Sequence, residues 1–63
     1  MSDYVEIAIE VKAITDSAVL VSDGDQESWI GFSVIQDVDS IPEVGEEGTI
    51  SIPEWLAYKE GFI

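Results

Sequence analysis

Tyr4-Val5-Glu6-Ile7-Ala8-Ile9-Glu10-Val11-Lys12, residues 4–12, alternates without a break. In an extended chain Val5, Ile7, Ile9 and Val11 fall on one side and Glu6, Ala8, Glu10 and Lys12 on the other. A period of two with β-branched residues on one face is the pattern of a half-buried strand. It predicts a sheet with one covered face and one wet face.

Thr15-Asp16-Ser17 reads as a tight turn, and Ala18 to Ser22 as a second strand. Asp23-Gly24-Asp25-Gln26 contains Asp-Gly, the strongest local signal for a hairpin turn. Glu27 to Phe32 is a third strand, with Trp29 and Ile30 on opposite faces. Phe32-Ser33-Val34-Ile35 either continues that strand or makes a single helical turn. Gln36 to Gly48 is an acidic connection containing Pro42 and two glycines, and Gly48-Thr49-Ile50-Ser51-Ile52 alternates again as a fourth strand. A short helix closes the chain. Pro53 suits its first position, Glu54 and Lys59 complement its two ends, and Gly61 is placed to cap it. Trp55, Leu56 and Tyr58, followed by Phe62 and Ile63, give it an apolar side. The expected fold is mainly β (α+β): a small antiparallel curved sheet or barrel of four to five strands with one short C-terminal helix, in a single domain over residues 1–63.

Sixty-three residues lie near the lower limit of what folds unaided, and with no cysteine there is no disulfide or thiolate metal site to staple the fold. The expected core is aliphatic with aromatic support, and Trp29 and Trp55 are assigned to it rather than to a contact surface. The N-terminus has no basic leader and no apolar run reaches membrane length, so a cytoplasmic protein is expected; it is expected to act as a monomer.

Charge narrows the function. Fourteen Asp and Glu face two lysines, with no arginine or histidine, for a formal net charge of −12. Direct contact with nucleic acid or an anionic membrane is disfavoured, because both are polyanions. Without histidine or cysteine there is no ordinary nucleophile–base dyad, and a non-enzymatic role is expected. No cofactor is expected either. Asp23-Gly24-Asp25-Gln26-Glu27 has D-x-D-x-E spacing, but an EF-hand loop needs glycine sixth and glutamate twelfth. Ser28 and Val34 stand there instead, so no metal site is expected.

Two likenesses bear on origin. Ser28-Trp29-Ile30-Gly31-Phe32-Ser33-Val34-Ile35, with Gly48 through Ile63 ending in Ile52-Pro53-Glu54-Trp55-Leu56-Ala57-Tyr58-Lys59-Glu60-Gly61-Phe62-Ile63, resembles small phage and plasmid proteins. Those read W-I-P-K-S-x-I in the middle and I-P-E-W-L-A-x-x-K-G-L at the end. The resemblance spans about half the chain and implies a mobile element and a small β-barrel-like fold, with no activity to carry over. Gly31 and Phe32 depart from its Pro-Lys pair, which removes a basic position. The charge and size also resemble the acidic DNA-mimic inhibitors used against restriction, CRISPR or repair enzymes.

Magnitudes set a condition on mimicry. A folded protein of this mass exposes on the order of 4,000 Å². Spread evenly, its charge is roughly one per 330 Å², about a third of the roughly one per 110 Å² on duplex DNA. The acids must therefore crowd onto one face. Asp23, Asp25 and Glu27 lie at alternate positions, which if extended recur about every 6.8 Å. Asp37, Asp39, Glu43, Glu46 and Glu47 crowd the long connection, and Glu6 and Glu10 share the wet face of the first strand. Residues 13–58 carry no positive charge at all. These ten acids are the candidate contacts for a basic nucleic-acid-binding host protein or complex. The sequence predicts an inhibitor that blocks such a groove, an anti-CRISPR protein first. Its rival is a phage adaptor module that binds a basic partner without blocking DNA. A purely solubilising role predicts acids spread evenly.

Overall fold

The computed structural model describes residues 3–63. Four antiparallel strands form a curved, unclosed sheet, with one C-terminal helix laid on it. β1 is Tyr4–Ile14, β2 Ala18–Ser22, β3 Glu27–Gly31, β4 Glu47–Pro53 and α1 Glu54–Glu60. The order across the sheet is β3-β2-β1-β4, so β3 and β4 are its edges and do not meet. Of the two expected forms, it is the open sheet.

β1 is long because it serves two neighbours in turn. Its first half, Tyr4 to Glu10, pairs with β4, and its second half, from Glu10 to Ile14, pairs with β2. The register slips between Val11 and Ala13, leaving Lys12 as the extra residue of a bulge. A one-residue insertion reverses the faces of everything beyond it. Val11 opposes Val21 and Ile14 opposes Val19, so both are on the inner side although they are three residues apart; Val11 is buried, while Ile14, at the strand's end, is 44% exposed. This is why the sequence pattern stops at Lys12 while the strand runs on to Ile14.

The inner face holds Ile7, Ile9, Val11, Val19, Val21, Ile30, Ile50 and Ile52, covered by Ile35, Leu56 and Ala57. Val5, Phe32, Val34, Ile41 and Phe62 pack around this cluster. The tryptophans correct their expected placement: Trp29 is 52% exposed and Trp55 56% exposed. Only one face of the sheet is covered, and pleating puts Trp29 on the other, next to Ile30 at 1%. On α1 the buried pair Leu56–Ala57 faces the sheet, and the helical turn carries Trp55 and Tyr58 outward.

The third strand ends one residue early, and Phe32–Val34 form a single 3₁₀ turn. Pro53 is also corrected. It is the last residue of β4, opposite Tyr4, with ψ 142°, and Glu54 is the first helical residue. At an edge position the missing proline N–H leaves no ladder bond unmade. Gly61 caps the helix as expected, with φ +82°, and the Phe62 N–H donates to the Ala57 carbonyl at 2.8 Å. α1 reaches from the Tyr4 end of the sheet to the start of β3, where the Ser28 hydroxyl donates to the Glu60 carboxylate.

The connection from Phe32 to Glu46 closes the rest of the inner face. Its Gln36 N–H donates to the Ser51 carbonyl at 2.9 Å, and its Pro42 lies on Gly48. A Cβ at Gly48 would sit 2.5 Å from Pro42 Cγ, part of a rigid ring. Gly48→Ala is therefore expected to lower stability by about 1–3 kcal/mol, read as a lower urea midpoint.

Candidate functional site

The offset of β2 and β4 along β1 leaves one row common to all four strands. Glu10 opposes Glu47 on one side and Ser22 on the other, and Ser22 opposes Glu27. Residues opposite one another share a face. Glu10 points away from the core, so Glu27, Ser22, Glu10 and Glu47 form a line across the outer face. At about 4.8 Å per strand the line is roughly 14 Å long.

Two turns flank it. In the β2–β3 hairpin, Asp23 Oδ1 accepts the N–H groups of Asp25 (2.9 Å) and Gln26 (3.0 Å), and Gly24 adopts φ +101°. Asp23, Asp25 and Glu27 are therefore not an extended run with a phosphate-like repeat. Asp23 and Asp25 belong to the turn and only Glu27 to the strand; the row across the strands spaces its carboxylates unevenly, about 10 Å from Glu27 to Glu10 and about 5 Å from Glu10 to Glu47. Between this hairpin and β4 lies an open depression floored by Ala8 and walled by Glu10, Asp23, Glu47 and Thr49. On the opposite flank the chain folds against the β1 bulge: the Gly45 N–H donates to the Val11 carbonyl (2.8 Å) and the Val11 N–H to the Glu46 carbonyl (3.0 Å). That turn keeps Glu43 and Glu46 off the outer face: Glu46 lies opposite core-facing Val11 and accepts the Glu43 N–H at 3.3 Å, and Glu43 borders Phe32, Val38 and Ile41.

Asp23, Asp25, Glu27, Glu10 and Glu47 are thus gathered along the outer-face row and its hairpin, while Glu43 and Glu46 stay in the turn behind it. Glu6 and the pair Asp37 and Asp39 also lie apart. Glu6 opposes Ser51, four residues along β4 from Glu47, or about 13 Å away. Asp37 and Asp39 belong to a separate 3₁₀ turn held to the same Ser51, where Asp37 accepts a hydrogen bond from Ser40 Oγ at 2.9 Å.

Two features escaped the sequence reading. Lys12 Nζ lies 3.4 Å from Glu10 Oε1, inside the acidic group. Both partners are well exposed, so the pair contributes under about 1 kcal/mol, but it offsets the repulsion between Glu10 and Glu47. Trp29, opposite Leu20, occupies the next outward position from Glu27 on β3, so an exposed indole borders the carboxylates.

The Asp23 carboxylate both holds the turn and adds charge, and substitution separates the two roles. Asp23→Asn keeps Oδ1 as an acceptor and is expected to leave the thermal midpoint nearly unchanged. Asp23→Ala should cost about 1 kcal/mol by freeing two backbone donors.

Among the described residues, no group of three or more His, Cys, Asp or Glu is placed to hold a metal ion, and no helix is long and apolar enough to cross a membrane. No family model, no curated protein and no solved structure matches this chain.

Proposed function

We propose that this protein is a polyanion mimic of mobile-element origin that occupies the positively charged nucleic-acid groove of a host defence complex. A CRISPR effector is the first candidate, ahead of a restriction enzyme or a DNA-repair glycosylase. The observation that supports this is the four-strand row Glu27–Ser22–Glu10–Glu47 with Asp23 and Asp25 in the hairpin beside it. The total surface is 3986 Å². At the density of duplex DNA, the five carboxylates of the row and hairpin need roughly 550 Å², about a seventh of that surface. A concentration of acids at one end is what mimicry requires and what an evenly solubilised surface lacks.

The mechanism is competitive and needs no covalent chemistry. Carboxylates take the places of phosphates against lysine and arginine, and the field of the acidic end steers encounter. Binding therefore weakens as salt rises. The test is displacement: the protein must release nucleic acid from its target, in a salt-dependent way. A second reading, an adaptor that binds a basic partner without blocking DNA, draws support from Trp29, Trp55 and Tyr58, all exposed as interface aromatics are. An adaptor binds its partner without releasing nucleic acid.

A further inference from the structure

The two edges of the sheet differ in how they are finished. On β4 the outward Ser51 carbonyl is taken by the Gln36 N–H, and Pro53 has no N–H to offer. On β3 the Asp23 N–H donates to the Gln26 carbonyl (3.2 Å) and the Phe32 N–H to the Ser17 carbonyl (2.9 Å), which brackets the β2–β3 ladder. Alternate pairing then directs the backbone groups of Ser28 and Ile30 toward β2. The N–H and C=O groups of Glu27, Trp29 and Gly31 point away from the sheet, and no backbone partner meets them among the described residues. This edge has no proline, no lysine and no bulge, the devices that ordinarily blunt one.

We infer that the β3 edge is a docking strand for an extended, arginine- or lysine-bearing segment of the partner protein, with Trp29 as its central contact. Charge complementarity selects this occupant. An added strand places its residues opposite Glu27, Trp29 and Gly31 on the outer face. The first meets the Glu27 carboxylate, with Asp25 just beyond it in the turn. The second lies over the exposed indole, where a guanidinium is favoured by both stacking and the ring quadrupole. The third meets glycine, which leaves room for a bulky side chain. A second copy of this chain would bring a further net charge of −12 to an edge that is already acidic. The inference rests on the reading of a basic partner and deepens it: main-chain bonding at the edge adds to carboxylate contact on the face.

Gly31→Pro isolates the edge. Gly31 has φ −68° and ψ 139°, a conformation proline adopts, and the nearest atoms to an added Cβ are 3.9 Å away. Its N–H points outward, so no ladder bond is lost, and every carboxylate is retained. The probe is an alternating arginine–valine octapeptide added to ¹⁵N-labelled protein, with an alternating glutamate–valine octapeptide as control. The arginine peptide is expected to slow amide exchange at Glu27, Trp29 and Gly31 by about tenfold, and the control is not. Gly31→Pro should weaken binding by about tenfold, the upper range for the one bond its N–H would donate. Trp29→Ala, a second variant at an exposed position, should weaken it comparably.

Two results overturn the inference. One is peptide-induced change spread over Asp23–Glu27 and Glu43–Glu47 and unaffected by either variant, which is carboxylate attraction only. The other is protection of the edge that rises with protein concentration without peptide, which is self-pairing. Nucleic-acid displacement separates this inference from mimicry. If Gly31→Pro displaces nucleic acid as the parent does while carboxylate-neutralised protein does not, the edge inference falls and mimicry stands. If the edge binds peptide but nothing displaces nucleic acid, mimicry falls and the edge inference stands.

Discussion

Ile30→Ala is expected to leave no cooperative unfolding transition at 37 °C. Ile30 is 1% exposed and is the residue through which β3 enters the core, opposite Val19 at 0%. Truncating a buried isoleucine to alanine costs about 2–5 kcal/mol, because the cavity adds to the lost burial. A 63-residue domain has on the order of 3–9 kcal/mol in total. With no disulfide and with net charge −12 opposing compaction, this chain belongs toward the lower end. Ile30→Val, which removes one methylene, should cost only about 0.5–1.5 kcal/mol and remain folded. Trp29→Ala, one residue earlier, should shift the urea midpoint little, because half of that side chain is already in water. Equal destabilisation by Ile30→Ala and Trp29→Ala would contradict the assignment of inner and outer faces.

Neutralising the acidic row should move stability and binding in opposite directions. The variant carries Glu10→Gln, Asp23→Asn, Asp25→Asn, Glu27→Gln and Glu47→Gln. Asparagine at position 23 keeps the turn bonds, and none of the five side chains is in the core. Glu10 and Glu47 are directly opposed like charges, an arrangement that destabilises a strand pair by up to about 1 kcal/mol. Relieving it should raise the thermal midpoint at low salt. The gain should vanish near 1 M salt, where the screening length is about 3 Å. Partner affinity should fall at least about a hundredfold, since close interfacial charge pairs couple by about 1.5 kcal/mol or more each. A protein that tolerates repulsion in order to bind should show this opposition. Loss of stability alongside loss of binding would mean that the acids serve the fold.

Much of the fold was legible, and the gaps have physical causes. The alternation of residues 4–12 and the Asp-Gly turn identified the first three strands, since period and turn chemistry are local. The bulge at Lys12 was not legible, because the inserted residue shows only when both partners' registers are known. Parity puts Trp29 and Ile30 on opposite faces, whereas hydropathy alone argues for a buried indole. Parity decides, because one covering layer leaves no second core to receive it. The acidic site was half legible. Proximity in sequence singled out Asp23 to Glu27. The row that joins Glu27, Glu10 and Glu47 depends on pairing between residues as much as 37 apart, which no local pattern encodes. Asp37 and Asp39 are held away from that row by the tie from Gln36 to Ser51, and Glu43 stays with them, beside Val38.

The central claim, that the acidic end stands in for nucleic acid, is tested most directly by elution from DNA–cellulose. Host lysate is bound to the column at low salt, and purified parent protein or the five-carboxylate variant is passed over it. If the claim is right, the parent releases a nucleic-acid-binding protein and leaves with it as a complex, the variant releases none, and the complex dissociates as salt is raised toward 0.5 M or so. Equal release by parent and variant, or a complex that forms while its partner stays on the DNA, would contradict it.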